Sequence, residues 1–318
     1  MSETPPVVRD RPKVVFEPGG YARFAGTPVP PAQRVRTLVG VFARDQWRSV
    51  KSKLFGALFV LPALVMAVVV VVRAKLDISG IAVPHADQAK WIMQLLHYLG
   101  NINAGFLLLG VATQVAPLIA RDGHQGALLL YFSRPVLRSH YLLARVGAAW
   151  LSGLVLLAGP ALLLILIMLS QYGLQPGGCP FEGALGALWW MALVVGQVAT
   201  SAAVALVTAV AGLAAGVVVR NPSSAPLAFG GTILASIAGS WVLQAAWGKE
   251  TAARAVDLHR GLLSLWDLLA FPLDPDHPPA TAAVTAGGGI LLWITVGAGA
   301  WWLLQRYLHN PPLGKGRA

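Results

Sequence analysis

Residues 185–219 read LGALWWMALVVGQVATSAAVALVTAVAGLAAGVVV, thirty-five consecutive positions without a charge. As a helix rising 1.5 Å per residue this run reaches about 52 Å, against about 30 Å for the hydrocarbon core of a bilayer. Uncharged apolar chain of that length belongs in lipid. The run is expected to tilt, to bend or to begin with an interfacial turn, with Trp189 and Trp190 as its interfacial belt.

The surrounding chain has the same character. Of its 318 residues 56% are hydrophobic and 12% charged, where ordinary soluble domains carry about 25% charge. Five further apolar segments join the first, giving six spans at about 54–72, 99–119, 146–169, 187–219, 227–247 and 285–304. The fold class is therefore an all-α integral membrane protein. Residues 1–33, rich in proline, form a cytoplasmic tail with too little apolar content for a core. Residues 34–309 form one transmembrane domain, and residues 310–318 a second short tail. The first 50 residues contain no apolar stretch of signal-peptide type, so a cleaved leader is not expected.

Orientation follows from the basic residues. With the N-terminus in the cytoplasm, eighteen of the 24 lysines and arginines lie on the inner side and six on the outer. That bias puts both termini inside, in a bacterial-type plasma (inner) membrane. The same rule accounts for the net charge of +11, and no nucleic-acid partner is implied. Membrane lipid is the surrounding solvent.

Before the first span, Val35, Leu38, Val39 and Phe42 share one helical face, and Arg44, Asp45, Arg48 and Lys51 fall on the other. Such a helix either lies in the cytoplasmic interface or extends the first span into the cytosol. Between spans five and six, residues 254–271 are also amphipathic, which reads as an interfacial or re-entrant helix on the outer face. It either lids a pathway or simply connects. The single cysteine, Cys179, excludes an intramolecular disulfide.

Several chemistries are absent. No Walker A pattern, HExxH, nucleophile elbow or metal-spaced Cys/His set occurs, so no catalytic, cofactor or metal residue is assigned in this chain. The span interiors hold no Asp, Glu, Lys or Arg. Ion-coupled carriers and voltage sensors place ionisable groups there. Energy for active transport would have to enter from another chain. Asn101, Asn103, Gln114 and Gln197 either line a pathway or satisfy hydrogen bonds between helices. Gly212 and Gly216 form a small-xxx-small pair, for packing within the subunit or against a second copy.

The most elaborate connection is 120–145, ARDGHQGALLLYFSRPVLRSHYLLAR, with four arginines and one acid. Residues 125–132 read as a short amphipathic helix. Pro135 lacks a donor and biases Arg134 away from helical geometry, so the helix stops there. The residue order resembles the permease subunit of ABC-2 type ABC transporters: Arg121-Asp122, Gly126, Leu128 to Leu130, Ser133-Arg134-Pro135, Arg138 and Tyr141-Leu142-Leu143. The six-span layout, the amphipathic first helix and the Arg220-Asn221-Pro222 turn extend the likeness over about residues 35–308. Two features depart from that pattern. No acid follows the Gly126 element, and Arg145 closes the loop in charge only.

The resemblance implies a non-catalytic subunit that works with a second permease, identical or related, and with two cytosolic ABC ATPase subunits that bind the ATP and Mg. It implies a coupling helix between spans two and three, docked on the ATPase through Arg121, Asp122, Gly126, Leu128, Tyr131, Arg134, Pro135 and Arg138. Export is the expected direction. The alternative is a membrane anchor or assembly factor that does not transport and recruits a cytosolic partner through the same loop.

Overall fold

A computed structural model describes residues 30–78, 88–125, 127, 137–173, 184–247, 257–260 and 279–309. Among them there is no strand. The elements are α1 (Pro31–Arg48), α2 (Val50–Ile78), α3 (Gln88–Gly110), a π turn (Val111–Val115), α4 (Ala116–His124), α5 (Arg138–Met168), a second π turn (Leu169–Gly173), α6 (Ala184–Val219), α7 (Ala225–Trp247) and α8 (Pro279–His309). Five helical stretches are long and apolar enough to cross a membrane: Val50–Leu76, Trp91–His124, Arg138–Tyr172, Leu185–Val219 and Ala225–Ala246. The chain is a multi-pass membrane protein.

The 35-residue apolar run is one uninterrupted helix, α6, which begins at Ala184. Neither a bend nor an interfacial turn interrupts it. Trp189 and Trp190 are not a lipid-facing belt. Both are buried, with ring centroids 4.9 Å apart in edge-to-face contact. They pack in an outer cluster with Val70, Ile92, Leu96, Ile165, Met168 and Tyr172. Burying two indoles there joins α2, α3, α5 and α6 at one end of the bundle.

A second, larger cluster occupies the middle and the inner end. It includes Phe59, Leu107, Val111, Leu142, Leu157, Val204, Leu213, Phe229 and Trp293. Here α3, α5 and α6 meet closely because Gly153 leaves room for them. A Cβ on Gly153 would stand 3.1 Å from the Ala205 Cβ and 3.5 Å from Leu107. The helices α2 and α7 are peripheral: roughly a fifth of each apolar stretch is buried inside the chain, against about half for α3, α5 and α6.

The helix break between α3 and α4 has a local cause. Pro117 carries no backbone N–H and its ring crowds the carbonyl one turn earlier. Widening the preceding turn relieves the clash, and the Ala116 N–H bonds Val111 O in a π pattern. The bulge brings backbone against α6 at Gly212 and Gly216. A Cβ on Gly212 would lie 2.4 Å from Val111 Cγ1. On Gly216 it would lie 2.0 Å from Ala116 O. This glycine pair therefore packs within the subunit, the first of its two expected uses.

The α1 helix does not extend the first span. It ends at Ser49, whose ψ of 141° is extended, and α2 starts afresh at Val50. The apolar face of α1 lies on the start of α5, where Leu38, Val39, Phe42 and Ala43 meet Tyr141, Ala144 and Ala148. Arg36, Arg44, Asp45 and Arg48 are exposed.

Candidate functional site

The connection 120–145 is described at its two ends. Gly126, Leu128, Tyr131, Arg134 and Pro135, together with most of the expected 125–132 helix, lie outside the described residues. At the first end, α4 carries Arg121 on its exposed side and turns Asp122 inward. At the second, α5 opens with Arg138 exposed and Tyr141 and Arg145 buried.

These inward groups form a knot. Tyr141 and Arg145 are one helical turn apart on α5, so their side chains share a face. Tyr141 Oη donates to Asp122 Oδ2, and Arg145 Nη2 donates to the same oxygen at 2.5 Å. The Arg145 guanidinium lies 3.8 Å from the Phe42 ring centroid, a cation–π contact with α1. Phe42 in turn meets Tyr141 edge-on at 6.0 Å. One buried carboxylate thus binds α4 to α5, and the guanidinium it neutralises binds both to α1. Asp122 and Arg145 are 7% and 8% exposed. At that depth an isolated charge would be strongly unfavourable, and the pair answers it.

The consequence is mechanical. The ends of the connection are fixed to each other and to the interfacial helix, and whatever the intervening residues contact pulls on three helices together. Of the expected docking residues, Arg121 and Arg138 are on the surface. Asp122 spends its carboxylate on the knot. A lone acid among four arginines, with Tyr and Arg four residues apart on the next helix, was the available sequence signal for this arrangement.

A polar elbow lies beside the knot, where α1 turns into α2. Ser49 Oγ accepts the Ser52 N–H at 3.1 Å and so caps the first turn of α2. Ser52 Oγ stands 2.5 Å from Gln46 O and 2.6 Å from Gln114 Oε1. One hydroxyl has one proton. With the Gln114 amide turned so that its NH₂ faces Ser52, that proton is left for Gln46 O and both contacts are satisfied. Trp47 Nε1 donates to Ser152 Oγ at 3.1 Å. A cavity of about 40 Å³ sits among Gln46, Phe55, Gln114, Ser152, Gly153 and Thr208, enough for a water with several polar neighbours. Gln114 is thereby a link between the π turn and the elbow.

The other polar span residues are dispersed. Asn101 is half-buried. Asn103 is buried, and its Oδ1 accepts no hydrogen bond. Gln197 is buried and donates to Ser201 Oγ at 3.3 Å on its own helix. No printed contact brings Asn101, Asn103, Gln114 and Gln197 together, and no group of three or more His, Cys, Asp or Glu that could hold a metal occurs among the described residues.

One set of residues was not anticipated. Of the amphipathic segment 254–271, only 257–260 is described, and it packs against α7 and α8. The Leu258 N–H donates to Ser236 Oγ at 3.3 Å, and Trp293 Nε1 donates to Leu258 O at 3.0 Å. Asp257 is 2% exposed. Its Oδ1 accepts the N–H groups of His259 and Arg260 at 2.9 and 3.1 Å. Ser240 Oγ lies 3.3 Å from Oδ2, and Arg260 Nε 3.6 Å. Sequence periodicity put Asp257 on a polar face turned away from the bundle, but carboxylate capping of the following turn reverses it.

Compared with known proteins, the chain matches no family model and no curated sequence.

Proposed function

We propose that this chain is the permease subunit of an ABC-2 type ABC transporter, with six spans and both termini in the cytoplasm of a bacterial-type inner membrane. It adds no catalytic residue of its own. Two cytosolic ABC ATPase subunits bind ATP and Mg, a second permease copy or a related permease completes the pathway, and substrate moves outward. The sixth span is α8, whose 31 residues exceed the 20 or so that a crossing needs.

The observation that carries the reading is the knot of Asp122, Tyr141, Arg145 and Phe42. A loop that only reversed the chain would need no buried ion pair at its base. A loop that receives force from a partner needs fixed ends, because slack would absorb the displacement. Residues 125–132 act as the coupling helix seated in the ATPase, with Arg121, Arg134 and Arg138 around it. Asp122 holds the base instead of meeting the partner, and Gly126, Leu128, Tyr131 and Pro135 shape the seated element.

The test is charge reversal outside the knot. Arg134→Glu with Arg138→Glu is expected to leave the membrane domain folded and to abolish both co-purification of the ATPase and permease-stimulated ATP hydrolysis. Wild-type levels of both would remove the coupling assignment.

A further inference from the structure

The segment 257–260 belongs to the connection between α7 and α8, yet its contacts lie at the centres of those helices. Ser236 is midway along α7 (Ala225–Trp247) and Trp293 midway along α8 (Pro279–His309). The 23 residues of α7 rise about 34 Å, close to the roughly 30 Å hydrocarbon thickness, so Ser236 sits near the bilayer midplane. Asp257 and Arg260 are there with it. The Asp257 side chain is 3% exposed, but that of Arg260 is 37% exposed, and His259 is half-buried.

An arginine open by a third of its side chain at mid-bilayer has two surroundings to choose from. Acyl chains offer its donors nothing and penalise the charge heavily. Water or a polar solute satisfies them. The buried Asp257 holds the backbone N–H groups of both residue 259 and residue 260, which fixes where Arg260 projects.

We infer that residues 257–260 line a water-filled recess reaching the middle of the bilayer from the outer side. In it Arg260 and His259 face a polar, oxygen-bearing solute, and Asp257 acts as the positioning residue. This rests on the six-span topology proposed above, which makes the α7–α8 connection external. It does not depend on the identity of the cytosolic partner.

Site-directed spin labelling of the full chain in lipid nanodiscs tests it, with Cys179→Ser as background. Labels go at His259→Cys, which keeps the Asp257–Arg260 pair, and at Arg260→Cys. Leu234→Cys and Val242→Cys, on the exposed face of α7, bracket the same depth. The expected result is several-fold greater collision with the water-soluble relaxer NiEDDA at 259 and 260 than at 234, with molecular oxygen showing the reverse order. In sealed vesicles, an impermeant thiol reagent should block 259 from the outer face only. An oxygen-dominated profile at 259 and 260 would mean they face lipid, and shielding from both relaxers would mean a packed contact; either overturns the recess. Labelling from the inner face overturns its sidedness. Water-like behaviour at 234 as well would overturn the topology beneath it, an outcome readable separately from the other two.

Discussion

Gly216→Ala is expected to prevent α6 from seating on α4. The added Cβ would stand 2.0 Å from the Ala116 carbonyl oxygen and 3.2 Å from its carbon. Backbone cannot rotate out of the way as a side chain can. The oxygen is also held by the π turn behind it, where Pro117 has already fixed the local geometry. Relief requires moving one helix by more than about 1 Å, at or above the roughly 3 kcal/mol upper end usual for overpacking a core. Gly212→Ala meets only Val111 Cγ1, at 2.4 Å, and a valine rotamer change absorbs part of the overlap. Gly230→Ala and Gly231→Ala meet nothing within 4 Å and serve as controls. The fraction of monodisperse protein left after graded heating in detergent should fall steeply for Gly216→Ala, moderately for Gly212→Ala and not at all for the controls. A Gly216→Ala protein as heat-resistant as the controls would mean that α4 and α6 do not approach as described.

The second large effect concerns the knot. Arg145→Leu leaves Asp122 buried and uncompensated, and Asp122→Leu does the same to Arg145. Breaking a buried pair from one side costs about 3–5 kcal/mol, while replacing both partners with apolar groups is often close to neutral. The double variant Asp122→Leu, Arg145→Leu should therefore recover much of the heat resistance that either single variant loses. It should not recover coupling, because the cation–π link to Phe42 and the Tyr141 hydrogen bond both depend on the charged pair. Recovery of fold with loss of ATPase stimulation is the expected combination. Full stimulation in the double variant would reduce the knot to a stability element.

Much of this was legible from residue order. The uncharged run 185–219 required a membrane helix, and the apolar face of Val35, Leu38, Val39 and Phe42 marked a helix lying on something. What covers that face is Tyr141, Ala144 and Ala148, about a hundred residues away, and periodicity carries no record of a partner so distant. Trp189 and Trp190 were misread for a related reason. A tryptophan pair near a span end is usual at an interface, but here three other helices close over it. Helix α3 starts at Gln88, ahead of the expected Leu99. Lys90, Gln94 and His97 lower the local hydropathy, although Ile92, Met93, Leu96 and Leu99 all face inward. Asp257 was hidden most completely. An acid on an amphipathic segment looks solvated, and only the hydrogen bonds to Ser236 and Trp293 on its neighbours show that the segment lies deep.

The most direct measurement is purification of the tagged chain from its native membrane in mild detergent, followed by reconstitution and assay of ATP hydrolysis. A permease should arrive with an ABC ATPase in equal number and show vanadate-sensitive hydrolysis that the Arg134→Glu, Arg138→Glu variant lacks. A stable preparation with no nucleotide-binding subunit and no hydrolysis would contradict the account and leave the anchor or assembly factor as the better reading.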